Sequence, residues 1–155
     1  MLLPELEPMN PPSDLSEVPF TDATIASDTA EARRVQEEIE KHLIQRRATD
    51  QEVFSVRLAL EEALVNAIKH GNQMDRAKKV HIAYRVGPER FDIHIRDEGP
   101  GFDPADVPDP TAAENLERPC GRGLMLMRHY MTEVEYNATG NSVSMTKVFR
   151  NNGKK

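Results

Sequence analysis

Three short stretches combine residue types that can hold a phosphorylated ligand. The first is Leu60-Glu61-Glu62-Ala63-Leu64-Val65-Asn66-Ala67-Ile68-Lys69-His70-Gly71. On a helix turning about 100° per residue, Glu62, Asn66, Lys69 and His70 share an arc of roughly 100°. Apolar stripes flank that strip: Val53, Val56, Leu60, Ala63, Leu64 and Ala67 on one side, Phe54, Leu58, Val65 and Ile68 on the other. A carboxylate and a carboxamide one turn apart on such a helix are costly to bury unless something pairs with them. A magnesium ion carrying phosphates would do so, since it prefers oxygen ligands and keeps several waters. The plainer alternative is a solvated strip with ordinary i,i+4 contacts.

The second stretch is Asp97-Glu98-Gly99-Pro100-Gly101-Phe102. An acid where a strand ends can accept a hydrogen bond from an exocyclic amine, and glycines let the backbone approach a flat ligand. A simple turn would use the same residues. The third is Gly121-Arg122-Gly123-Leu124, at the start of an expected helix. Free amides at a helix N-terminus attract phosphate, and Arg118 and Arg122 could add charge-assisted hydrogen bonds. The bland alternative is a hinge into a core helix, with Leu124, Leu126, Met127 and Met131 packed inside in either case.

The elements that must position these residues are legible in outline. A weak strand signal covers residues 18–25, followed by a helix capped by Ser27 or Asp28 and running through Arg47. A second helix, capped by Thr49 or Asp50, is expected over residues 51–70, with Gly71 ending it. Alternating apolar residues predict a hairpin of strands 79–86 and 91–97. Residues 98–120 hold five prolines and two glycines and read as a long functional loop. A third helix over 121–131 and a hairpin of strands 133–137 and 142–150 complete the order. This order predicts an α+β, two-layer sandwich: a mixed, mostly antiparallel sheet with helices on one face. A proline-rich acidic extension (1–19) precedes the domain (20–150), and a polar tail (151–155) follows it.

The chain has 155 residues, a net charge of −6 and a single cysteine, Cys120, read as a small loop residue. Such an acidic balance argues against nonspecific binding of nucleic acid or anionic lipid. With no apolar run long enough to span a bilayer and no signal-peptide pattern, a cytoplasmic protein is expected. A Walker-type phosphate loop is absent from the sequence.

Taken in order, Glu-x-x-x-Asn-Ala-x-x-His-Gly, Asp-x-Gly-x-Gly-Phe and Gly-x-Gly-Leu resemble the N-box, G1 box and G2 box of the GHKL (Bergerat-fold) ATPases. The size and the run Arg118-Pro119-Cys120-Gly121-Arg122-Gly123-Leu124 resemble the anti-sigma-factor serine kinases of the RsbW and SpoIIAB type. The resemblance implies ATP and Mg²⁺ as ligands, with Asn66 on the metal and Glu62 as general base or orienter of the attacking hydroxyl. It implies Asp97 on the adenine amine and Gly99 and Gly101 shaping the adenine pocket. A lid over residues 103–119 and phosphate binding by Gly121, Arg122 and Gly123 follow likewise, with Arg118 and Leu124 also in the ATP-binding set. His70 is expected to pack or hydrogen-bond locally, Lys69 to be solvated, and Glu61 to face elsewhere. The implied activity is phosphorylation of a serine or threonine on a STAS-domain antagonist, with capture of a sigma factor, in a protein that can dimerise. The alternative is a nucleotide-binding partner switch that transfers no phosphate. A histidine kinase is disfavoured, because no phosphoacceptor-histidine helices precede the boxes.

Overall fold

The computed structural model describes residues 18–100 and 119–149. The order is β1 (Thr21–Ala26), α1 (Thr29–Gln45), α2 (Asp50–Val65), a π-helical turn (Asn66–Gly71), β2 (Lys79–Val86), β3 (Arg90–Arg96), α3 (Pro119–Tyr130), β4 (Glu133–Tyr136) and β5 (Ser142–Val148). The strands form one five-stranded sheet in the order β1-β2-β3-β5-β4. The expected mixed sheet is antiparallel at each of these pairings.

Side-chain alternation along each strand splits the sheet into two faces. Val80, Ile82, Tyr84 and Val86 of β2, Phe91, Ile93 and Ile95 of β3, and Val143 and Met145 of β5 are buried on one face. The three helices cover that face. Ile39 and Leu43 of α1, Val56, Leu60 and Leu64 of α2, and Met127 of α3 close the core. The other face carries His81, Arg85, Asp92, His94 and Ser144. On it Arg85 Nε lies 3.2 Å from Asp92 Oδ2, and His94 Nδ1 lies 2.6 Å from Ser144 Oγ.

Element ends differ from expectation for local reasons. β1 starts at Thr21 rather than residue 18, since Pro19 has no N–H to give a ladder. Asp28 caps α1 through Ala30 N–H, at 2.8 Å, while Ser27 turns inward and donates to Lys78 O. α3 begins at Pro119, two residues before the expected start, and proline is favoured in the first turn of a helix. Residues 1–17 of the proposed extension, most of the proposed lid and the 151–155 tail lie outside the described residues.

Candidate functional site

The first stretch sits at the end of the central helix. α2 starts conventionally: Thr49 accepts from Glu52 N–H at 3.1 Å, and Glu52 accepts from Thr49 N–H at 2.9 Å, a complete capping box. Its far end is unlike the expected plain α-helix. From Asn66 the chain widens into a π turn, and Asn72 N–H reaches back five residues to Ala67 O at 2.8 Å. Single π turns recur at functional sites. Gly71 does not end the helix by the expected left-handed turn. Instead the positive φ angles fall on Gln73 (55°) and Met74 (61°).

Gly71 has a different reason to be glycine. A Cβ there would strike the Asp97 carboxylate, 2.7 Å from Oδ1 and closer still to Oδ2. The end of the first stretch thus packs directly on the acid of the second. Gly99 shows the same economy of space, since a Cβ on it would collide with Gly71 O. Gly99 is therefore needed for backbone-to-backbone packing against Gly71, which lines the pocket.

Asp97 follows the last residue of β3 and is only 8% exposed. Its N–H donates to Asn141 O at 2.9 Å, and its Oδ1 accepts from Gly99 N–H at 2.8 Å. Its Oδ2 has no hydrogen-bond partner among the described residues. Burial pushes the Asp97 carboxyl up from its ordinary value; the Gly99 amide and the nearby Lys78 and Arg96 charges pull the other way. The carboxylate looks into a cavity of about 110 Å³. Asn66 and His70 line one side, Ala63, Ala67, Ile95 and Val143 give apolar walls, and Tyr136 and the 140–142 turn complete it. Apolar walls with a few convergent polar groups are the usual make-up of a small-ligand site.

The third stretch reaches the same place. A Cβ on Gly123 would lie 2.7 Å from Glu62 Oε1 and 2.9 Å from Asn66 Nδ2. A larger residue at this position would have to displace the tips of those two side chains, so α3 is seated directly on the polar strip of α2. Starting α3 at Pro119 puts Gly121 and Arg122 in its first turn, where amides lack helical partners, while Gly123 serves packing. Glu62 is half-buried, and burial is the main cause that raises its carboxyl pKa. The Glu61 charge adds to the rise and His70 opposes it. A carboxylate made more basic in this way is suited to taking a proton near neutral pH.

The first two stretches thus share one cavity, and the third packs on Glu62 and on Asn66, which lines it. Residues 25–147 match the histidine kinase-like ATPase domain. The chain belongs to that ATPase family. The serine/threonine-protein kinase BtrW of Bordetella bronchiseptica is 33% identical over 85 residues, covering 54% of this chain and 60% of that protein. The serine-protein kinase RsbW of Bacillus subtilis is 32% identical over 106 residues, covering 64% and 66%. The anti-sigma F factor of Oceanobacillus iheyensis is 34% identical over 105 residues, covering 64% and 71%. The matches thus span 60% and 66% of the two kinases named. A crystal structure of the RsbU and RsbW domains of Rv1364c from Mycobacterium tuberculosis shares the fold, with a TM-score of 0.58 at 16% identity over 85% of this chain and 32% of that one.

In this histidine kinase-like ATPase domain, Asn66 and Asp97 line one cavity, and Glu62 and Asn66 lie under Gly123. His70 lines the cavity, whereas Lys69 and Glu61 are exposed. Leu124 is a core residue, 6% exposed, as expected. Gly101, Arg118 and the Arg122 side chain lie outside the described residues. Sequence reasoning missed Tyr136, Asn141, Ser142 and Val143, which reach the cavity because β5 inserts beside β3. It also missed Asn72, whose only signal was an amide placed directly after His70-Gly71. Among the described residues no helix is long and apolar enough to cross a membrane.

Proposed function

We propose that this chain is an ATP-dependent serine/threonine protein kinase that phosphorylates a STAS-domain antagonist and captures a sigma factor, in the cytoplasm. The observation that carries this reading is that Asn66 and Asp97 line one cavity, with Glu62 beside Asn66 under Gly123. A carboxylate oxygen with no partner among the described residues, between apolar walls, fits the exocyclic amine of adenine. The Asn66 carboxamide fits a magnesium ion, which needs few protein oxygens because it keeps waters and phosphate oxygens. Such an ion would neutralise charge on the phosphates. The relatives' names point the same way: two are serine or serine/threonine kinases and one an anti-sigma factor.

The chain's own residues then divide the work. Asp97 orients the base by a charge-assisted hydrogen bond. Free amides in the first turn of α3, with Arg122 and Arg118, hold phosphate. Glu62 takes or steers the proton of the incoming hydroxyl while phosphorus changes partners, a reaction that depends mostly on positioning and charge.

The test is incubation with labelled ATP, Mg²⁺ and STAS proteins from the same genome. Label is expected on a STAS serine or threonine, and Glu62→Gln is expected to slow transfer about 10²–10⁴-fold with nucleotide binding retained. Transfer that survives Glu62→Gln removes Glu62 from its role. ATP binding without transfer to any STAS protein makes the chain a binding-only switch, and no ATP binding at all rejects the reading.

A further inference from the structure

Asn72 lies outside the cavity and is completely buried. Its Nδ2 donates to Ser27 Oγ at 2.9 Å and to Lys79 O at 3.0 Å, and its Oδ1 accepts from Glu98 N–H at 2.7 Å. The amide has one possible orientation, because Glu98 N–H can only donate and Lys79 O can only accept. One side chain therefore joins the β1–α1 connection, the first residue of β2 and the turn after β3. Its own backbone N–H closes the π turn on Ala67.

This placement bears on Asp97 more than on the fold at large. Asp97 is pinned on its own N–H by Asn141 O and, through the next peptide, by Asn72 Oδ1. Asn72 directly follows Gly71, whose missing side chain gives the carboxylate its room. The Asp97 carboxylate and the Asn66–Gly71 turn are thereby held in one frame with little slack. Releasing the Asn72 pin frees the peptide that sets where the carboxylate points. A buried polar group with every hydrogen bond made also fixes a unique local geometry.

We infer that Asn72 is the positioning residue for base recognition: it holds the Asp97 carboxylate where it meets an adenine amine, and so sets both ATP affinity and preference over GTP. This inference deepens the nucleotide reading above and rests on it.

The experiment measures ATP and GTP binding by calorimetry and thermal unfolding for the full chain and three variants. Asn72→Ala removes the acceptor for Glu98 N–H; it is expected to weaken ATP binding about 10–100-fold, the scale of effect an ångström-sized misplacement produces. ATP-over-GTP preference should fall with it, while transfer at saturating ATP changes little, the pattern of lost ground-state binding. Asn72→Asp keeps an acceptor for Glu98 N–H and loses the donors; it should lower the melting temperature yet retain the ATP-over-GTP preference. Ser27→Ala should cost stability and leave affinity unchanged. Should Asn72→Ala not fold, Asn72→Leu, of similar shape and without an acceptor, carries the same expectation.

If Asn72→Ala or Asn72→Leu binds ATP and GTP as the unmodified chain does, the residue is purely structural and the inference is wrong. It is equally wrong if affinity follows melting temperature alone across all variants. An unmodified chain that binds no ATP overturns the nucleotide reading itself, and this inference with it.

Discussion

The two ends of the central helix are built by different rules. At its start, Thr49 and Glu52 satisfy each other's amides within four residues of chain. At its finish the helix runs directly into the π turn, which Asn72 N–H closes on Ala67 O. The backbone widens from Asn66, two successive non-glycine residues take left-handed angles, and partners come from distant strands. The first end is stable by local chemistry. The second depends on the sheet, and that is where Asn66, His70 and Gly71 meet Asp97. Departures from local rules gather where ligand chemistry is built, a pattern natural proteins follow at functional sites.

The strongest way to break this contrast is at Gly99. A Cβ there meets the Gly71 carbonyl, and neither backbone can yield without moving the π turn or the strand end. Gly99→Ala should cost about 2–3 kcal/mol, at the upper end for overpacking a tight contact. Thermal unfolding should show a melting temperature lower by roughly 4–12 °C for a chain of this size. ATP affinity should fall in the same variant, because the displaced backbone carries Asp97. A variant that melts normally would mean that the two motifs do not press on each other.

At the other end the expectation separates stability from binding. Thr49→Ala removes one half of the capping box and should cost about 1 kcal/mol. Because that end lies more than four helical turns from Asn66, nucleotide affinity should stay as it was. An affinity loss in proportion to the stability loss would show that the helix transmits strain along its length, and the distinction between its ends would dissolve.

The same distinction explains what could be read from the sequence. Amphipathic spacing, the Thr49 cap and the alternation along β2 and β3 act between near neighbours, so their signals lie in short windows. The three motifs were legible as residue types, and their order carried the family resemblance. The reasons for particular glycines were not. Gly71 looked like a helix terminator and Gly99 like a ligand-contact residue, yet each is small because of a partner more than 25 residues away or on the facing backbone. Asn72 gave little local sign beyond its place after Gly71, since its three side-chain partners are Ser27, Lys79 and Glu98. The π turn is likewise a response to tertiary contacts, which residue spacing does not encode.

The smallest expected effect concerns charge at the tertiary end. Burial raises the Asp97 carboxyl above its unfolded value of 3.8, so the folded chain resists ionising it. Stability from this group is therefore lost as pH rises from near 4 through the raised folded value, and is level beyond it. The adjacent Glu98 has the opposite sign. His81, 2.7 Å away, lowers its pKa, so its contribution is present above its unfolded value and is lost on acidification. Asp97→Asn keeps a carbonyl oxygen for Gly99 N–H and removes the buried charge. The variant should melt about 1–3 °C higher than the unmodified chain at neutral pH, a gain of less than 1 kcal/mol. The two melting curves should converge as pH falls towards 4, while the variant loses ATP binding at every pH. A difference that does not change with pH would mean that burial is not what opposes this charge. In that case the carboxylate is already compensated in the free protein, and its value to ligand binding would have to be smaller than the cavity geometry implies.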